Sequence, residues 1–119
     1  MDKSKKQFGK EGEDLACDFL EKEGYKIVKR NWHFGHGEID IIAEKNNTLV
    51  FVEVKSRKTL EYGHPELAVT KKKQQQIKTM AEAYLYINKI TDTDCRIDVI
   101  SILLQDKKHP EINHIENAF

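Results

Sequence analysis

The stretch that decides the fold is Gly37 to Arg57, GEIDIIAEKNNTLVFVEVKSR. Two β-rich segments, Glu38–Glu44 and Leu49–Arg57, flank Lys45-Asn46-Asn47-Thr48, and Asn-Asn is suitable chemistry for a two-residue hairpin turn. If Lys45 faces Thr48, paired positions sum to 93 and Asp40 lies opposite Glu53. Side chains alternate along a strand, so Glu53 and Lys55 share that face while Val50, Val52 and Val54 take the other. Two carboxylates across a half-buried ladder repel each other. A divalent cation would relieve the conflict, since paired carboxylates offer oxygen ligands to Mg²⁺ or Mn²⁺ and leave room for water and a phosphate oxygen. Lys55 is then placed to hold an attacking water or offset charge in the transition state. The competing account is a wet strand face, which antiparallel sheets commonly expose.

Outward from this hairpin, the apolar stripe Phe8, Gly12, Leu15, Ala16, Phe19, Leu20 predicts an amphipathic helix to about Glu23, ended by Gly24. Tyr25–Trp32 reads as a strand and His33–Gly37 as a loop. Thr59–Pro65 is a polar loop, and Lys71–Asn88 is a second helix with Thr70 as its N-cap. Arg96–Leu104 is a β-branched strand, with Ile112–Glu116 a candidate last short one.

The 119 residues suffice for one compact domain. With 39% hydrophobic and 34% charged residues, the composition is that of a small globular protein with a solvated surface. Zero formal net charge excludes a global field that would draw in nucleic acid or an anionic membrane, so any basic footprint is local. The lysine-rich N-terminus lacks an apolar segment behind it, and no run approaches the ~20 residues needed to span a bilayer. A cytoplasmic protein without a membrane partner is expected. Cys17 and Cys95 form no CxxC and read as free thiols.

A local basic stretch does occur. Between Val54 and Met80, Lys55, Arg57, Lys58, Lys71, Lys72, Lys73 and Lys78 stand against Glu61 and Glu66. Lys71, Lys72 and Lys73 place three cations in the first turn of a helix, where the macrodipole disfavours them and an anion would resolve the conflict; a solvated helix face is the alternative. Arg57, Lys58, Lys71, Lys72, Lys73 and Gln74 are the candidate nucleic-acid contacts, with His36 ranked as a loop residue or phosphate contact above a zinc ligand. Trp32, Tyr84 and the other aromatics are assigned to the core rather than to base-stacking platforms. In the first helix, Gly9 and Gly12 are costly unless a backbone or ligand approaches, which favours a site beside Glu13; helix-terminus complementation by Glu11, Glu13 and Asp14 is the competing account.

Five pieces in order, GKEGEDLA (Gly9–Ala16), NWHFGHGEIDIIA (Asn31–Ala43), LVFVEVKSR (Leu49–Arg57), AVTKKKQ (Ala68–Gln74) and RIDVISI (Arg96–Ile102), carry a resemblance over almost the full chain. The sequence resembles the YraN-like family of small bacterial proteins, which look like members of the PD-(D/E)xK nuclease superfamily and are similar in plan to archaeal Holliday-junction resolvases. The resemblance implies an α/β (α+β) restriction-endonuclease-like three-layer fold, a mixed central sheet flanked by helices, in the order α-β-β-β-α-β. It implies Asp40, Glu53 and Glu13 as ligands of Mg²⁺ or Mn²⁺, Lys55 as catalytic lysine, DNA as partner and, by superfamily analogy, a homodimer. Ile39 stands where the superfamily's name has proline, a position that supplies no catalytic atom. A metal-dependent nuclease is the leading expectation, and a non-catalytic nucleic-acid-binding module on the same fold is the alternative.

Overall fold

The computed structural model describes residues 5–61, 63–106 and 108–119, with side chains from Phe8 onward. Its elements are α1 (Lys5–Lys22), β1 (Lys26–Phe34), β2 (Gly37–Lys45), β3 (Thr48–Arg57), a short 3₁₀ turn (Pro65–Ala68), α2 (Lys71–Ile87), β4 (Asp94–Leu103) and β5 (Glu111–Ile115). The five strands form one mixed sheet in sequence order. All pairings are antiparallel except β3 with β4, which is parallel and therefore needs a crossover. Helix α2 supplies it.

The two helices cover opposite faces. Ala16, Cys17 and Leu20 of α1 pack on Ile41, Ala43, Val50, Val52, Ile100 and Ile102, while Met80, Ala81 and Tyr84 of α2 pack on Ile39, Ile42, Leu49 and Phe51. This is the expected three-layer α+β architecture, and the short last strand is present as β5.

The β2–β3 register runs from Lys45↔Thr48 to Ile41↔Val52, as the hairpin arithmetic requires. Asn46 and Asn47 both take positive φ, 51° and 62°, the pair of left-handed residues that a type I′ turn demands. Helix α1 ends in a Schellman motif: the Tyr25 N–H donates to Leu20 O (2.9 Å), the Gly24 N–H to Glu21 O (3.1 Å), and Gly24 has φ 91°. Thr70 caps α2 by accepting from the Lys73 N–H at 3.2 Å.

One boundary differs. The expected loop at His33–Gly37 is mostly strand: β1 continues to Phe34, which pairs with Gly37 across a two-residue Gly35-His36 turn with Gly35 at φ 59°. Glycine at the first turn position is what permits so tight a connection.

Candidate metal-binding cleft

The sheet reverses its faces at one row, and that reversal builds the site. Ile39 and Ile41 are two residues apart and by alternation share a face, yet Ile41 packs under α1 and Ile39 under α2. The neighbouring strand does the same: Arg30 reaches Asp14 of α1 at 2.7 Å, whereas Trp32 packs against Tyr84 of α2. Between them Asn31 adopts φ 51°, a left-handed conformation that asparagine tolerates better than most residues. Regular β2–β3 pairing stops at Ile41↔Val52, and the Asp40 carboxylate instead accepts from the Val54 N–H at 2.8 Å. Side chains that would have been separated by the sheet thus converge at its end.

They line an open cleft of about 950 Å³, whose walls include Glu13 of α1, Arg30, Asn31 and His33 of β1, Glu38 and Asp40 of β2, Glu53 and Lys55 of β3, and Lys73 of α2. Helix α1 can bring Glu13 there because Gly12 lies against the Ser56 hydroxyl of β3, where a Cβ would collide. Gly9 also borders the cleft, and a Cβ there would meet no protein atom within 4 Å.

Glu13, Glu38 and Asp40 each offer an oxygen, all within 4.8 Å of one another. Asn31 spans two of them: its amide nitrogen, in the orientation that satisfies its neighbours, donates to Glu13 Oε1 at 2.8 Å and Glu38 Oε1 at 3.2 Å. Glu53 stands beside this group rather than within it, buried, with both Lys55 Nζ (3.4 Å) and Lys73 Nζ (3.7 Å) near its Oε1.

Crowding leaves its mark on the carboxyls. Burial first, then the charge of Glu53, push Asp40 up from 3.8 to about 8, against the lowering effect of the Val54 N–H; Glu13 and Glu38 add to the rise. Glu13 is raised too, by burial and then by Glu38. A hard cation would reverse this, since oxygen-only donors suit Mg²⁺ or Mn²⁺ and metal binding favours the ionised carboxylates. Octahedral ligands at ~2.1 Å sit ~3 to 4 Å apart, so modest closure of the three carboxylates would hold the ion.

Of the residues singled out from sequence, Glu13, Asp40, Glu53, Lys55 and Lys73 meet here. Arg57, Lys58, Lys71, Lys72, Gln74 and His36 are not among the cleft's lining. Lys71, Lys72, Lys58 and His36 are exposed. Lys58 Nζ lies 5.4 Å from the Phe8 ring centroid, and the Gln74 amide donates to Val69 O at 3.3 Å, tying the start of α2 to the preceding turn. Sequence reasoning missed Glu38 and Asn31. Both follow once β1 and β2 are joined by a Gly35-His36 turn, because that register sums to 71 and sets Asn31 beside Asp40.

A second charged cluster is structural. Asp98, fully buried on β4, accepts from Arg96 Nε (2.9 Å) and Nη2 (3.0 Å) and from the Asn117 N–H (2.9 Å), and pairs with His114 Nε2 at 2.7 Å. Burial alone would raise its pKa, but these partners hold it below the usual carboxylate value. Cys17 and Cys95 are free, as expected. Among the described residues no helix is long and apolar enough to cross a membrane.

A family model described as "Uncharacterised protein family UPF0102" matches residues 12–102. A "UPF0102 protein" of Trichlorobacter lovleyi is 46% identical over 118 residues, covering 98% of this chain and 93% of the relative. Another from Geobacter sulfurreducens is 48% identical over 114 residues, 96% of this chain and 89% of the relative. A third, from Syntrophomonas wolfei, is 45% identical over 114 residues, 96% and 98% of the two chains.

Proposed function

The chain belongs to the uncharacterised protein family UPF0102, and from that premise and the chemistry of its cleft we propose that it is a metal-dependent nuclease that hydrolyses phosphodiester bonds in DNA. The observation that carries the reading is the convergence of three carboxylates within 4.8 Å beside a buried glutamate that draws in two lysines from separate elements. Clustered carboxylates repel a nucleic-acid phosphate, so they serve a phosphate site only with a cation between them. A fold that merely bound DNA would gain nothing from them.

Glu13, Glu38 and Asp40 would hold Mg²⁺ or Mn²⁺, and the approach of both lysines to Oε1 of Glu53 leaves Oε2 of that residue for the cation or its water. The ion would supply Lewis-acid charge to a phosphate oxygen and lower the pKa of a bound water. Lys55 holds its ammonium over the same space, where it stabilises charge that develops on the phosphate during attack. Lys73, entering from α2, gives a second ammonium that binds the phosphate before and after the reaction. Exposed Lys71 and Lys72 extend the positive surface for the flanking backbone.

The test is a panel of end-labelled duplex, single-stranded and branched DNAs incubated with Mg²⁺ or Mn²⁺. Cleavage abolished by EDTA and by Asp40→Ala supports the reading. Binding without cleavage under every divalent metal would transfer the protein to the binding-module class.

A further inference from the structure

Asn31 lines the cleft from the middle of β1, where φ 51° is a left-handed conformation that glycine would adopt with less strain. Backbone conformation alone therefore does not account for an asparagine. Its neighbour Arg30 binds Asp14 at 2.7 Å, and the Asn31 amide meets Glu13, so two successive residues of β1 hold two successive residues of α1 at the edge of the cleft. The same amide reaches Glu38 of β2 at 3.2 Å, which links a carboxylate from the helix to one from the sheet.

A planar amide carries a donor at one end and an acceptor at the other, and a half-turn about the Cβ–Cγ bond exchanges the two with little movement of the rest of the side chain. The amide position nearest the carboxylates lies 2.8 Å from Glu13 Oε1, 3.2 Å from Glu13 Oε2 and 3.2 Å from Glu38 Oε1. Adjacent ligands of an octahedral ion at ~2.1 Å stand about 3 Å apart. These separations suit two chemistries. With nitrogen at that position, N–H donation offsets the repulsion between Glu13 and Glu38, whose oxygens lie with that of Asp40 within 4.8 Å of one another. With oxygen there, an amide carbonyl joins the three carboxylates, and a cation is what reconciles so many oxygens. A neutral ligand fits this place well, because three carboxylates already exceed the charge of a divalent ion and a fourth would add repulsion without need.

We propose that Asn31 completes the cation site as a neutral fourth ligand: its amide nitrogen holds Glu13 and Glu38 together before a cation binds, and its amide oxygen, exchanged into the same position, binds the cation. The proposal rests on the metal site of the nuclease reading above and adds to it a ligand and the device that keeps the carboxylates assembled. The left-handed backbone serves that role, since it directs Asn31 into the cleft between Arg30, which reaches α1, and Trp32, which packs against α2. Four protein oxygens leave two octahedral positions, one for a water and one for a phosphate oxygen.

The experiment titrates the full chain with Mg²⁺ or Mn²⁺ alone, without DNA. In isotopically labelled wild type, saturating Mg²⁺ should move the NMR resonance of the Asn31 Cγ carbon downfield as its oxygen is polarised, and move its NH₂ protons upfield as they leave the carboxylates. Asn31→Gly keeps the left-handed backbone and deletes the amide, so Mn²⁺ affinity, read from the electron paramagnetic resonance of the free ion, should fall about ten-fold or more. Asn31→Asp, a residue also tolerated at positive φ, keeps an oxygen and loses the donor; it should bind Mn²⁺ at least as tightly as wild type while unfolding at lower urea in EDTA. If Asn31→Asp loses as much affinity as Asn31→Gly and Mg²⁺ leaves the Cγ resonance unmoved, the amide is a clamp only, which overturns the ligand proposal and leaves the nuclease reading untouched. Wild-type Mn²⁺ affinity in a natively folded Asn31→Gly overturns it in the same way, and should that variant not fold, the wild-type Cγ shift decides alone. Failure of the wild-type chain to bind either metal would overturn the proposal and the nuclease reading together.

Discussion

Asp40→Asn should make the metal-free protein more stable while ending its response to metal. In the fold the Asp40 carboxyl titrates at about 8 against an ordinary 3.8, so between these values the native state keeps a proton that the unfolded chain has released. Stability therefore falls as pH rises from about 4 to about 8, with the native state binding more protons throughout. At pH 7 the group has been carried roughly three units past its ordinary value, which at ~1.4 kcal/mol per unit costs the fold at most about 4 kcal/mol. The proton is shared with a carboxylate cluster, whose members relieve one another's charge as they titrate, which brings the expected difference to about 2 kcal/mol. Asparagine keeps an oxygen for the Val54 N–H and carries no charge, so it releases this cost. Urea denaturation in EDTA at pH 4.5, 6, 7 and 8.5 should show wild type and variant nearly equal at the lowest pH, then diverging in favour of the variant. Added Mg²⁺ or Mn²⁺ should stabilise wild type by RT ln(1 + [metal]/Kd) and leave the variant unmoved. A variant less stable than wild type at pH 7, or a difference flat with pH, would refute the crowding argument.

Other outcomes follow from the same geometry. Lys55→Ala should lower turnover by about two orders of magnitude with little change in DNA affinity, measured by single-turnover cleavage and by fluorescence anisotropy. Lys71→Ala with Lys72→Ala should weaken binding to all sequences and flatten the log–log salt dependence by about one unit for each phosphate no longer neutralised. Asp98→Asn should cost about 2 kcal/mol in urea denaturation at neutral pH by removing the charged acceptor of the half-buried Arg96, which keeps the Tyr25 hydroxyl and, at 3.8 Å, Glu116. Because the folded pKa of Asp98 is depressed, that contribution is present above the ordinary 3.8 and lost as pH falls through the folded value, so the gap to wild type should close in acid. Lys89, at φ 53°, ends α2 where glycine is the usual residue, so Lys89→Gly should raise the thermal midpoint by an amount worth about 0.5–1 kcal/mol.

How much of this is legible in the sequence depends on where local rules suffice. The Asn46-Asn47 turn fixes its own register as far as Ile41↔Val52, whereas the expected Asp40–Glu53 pair lies just past the end of regular pairing, where the Asp40 carboxylate accepts from the Val54 N–H. Thr70 and Gly24 mark helix ends through their own chemistry, so α1 and α2 are bounded closely. The Gly35-His36 turn carries the same kind of signal, yet the glycines and histidines of His33–Gly37 read together as loop, which hides the register that exposes Glu38 and Asn31. The reversal of faces at Asn31 and Asp40 has no comparable signal. Alternation with period 2 places Ile39 and Ile41 on one face, and it is their packing under opposite helices, beside the left-handed Asn31, that shows the sheet turning over there. The reach of Lys73 to Glu53 is hidden for a different reason: it depends on how far α2 slides along the sheet, which is settled by the packing of Ile77, Met80 and Tyr84.

The two low-exposure aspartates separate what the fold needs from what the cleft does. Asp98 is fully buried, and Arg96, His114 and the Asn117 backbone satisfy it so well that its pKa falls despite burial. Asp40 retains more solvent, accepts from the Val54 N–H, and faces Glu53, Glu13 and Glu38, so its pKa rises instead. Exposure alone would rank these sites in the wrong order of strain. The charge balance of the partners ranks them correctly: at Asp98 the chain supplies the positive charge itself, and at Asp40 it supplies further negative charge that a divalent cation can offset. The lysines do not provide that offset, because Lys55 and Lys73 both approach Glu53, which stands outside the group formed by Glu13, Glu38 and Asp40. That leaves the acidic triad and the paired ammoniums as adjacent, oppositely charged halves of one cleft, an arrangement suited to a cation on one side and a phosphate on the other.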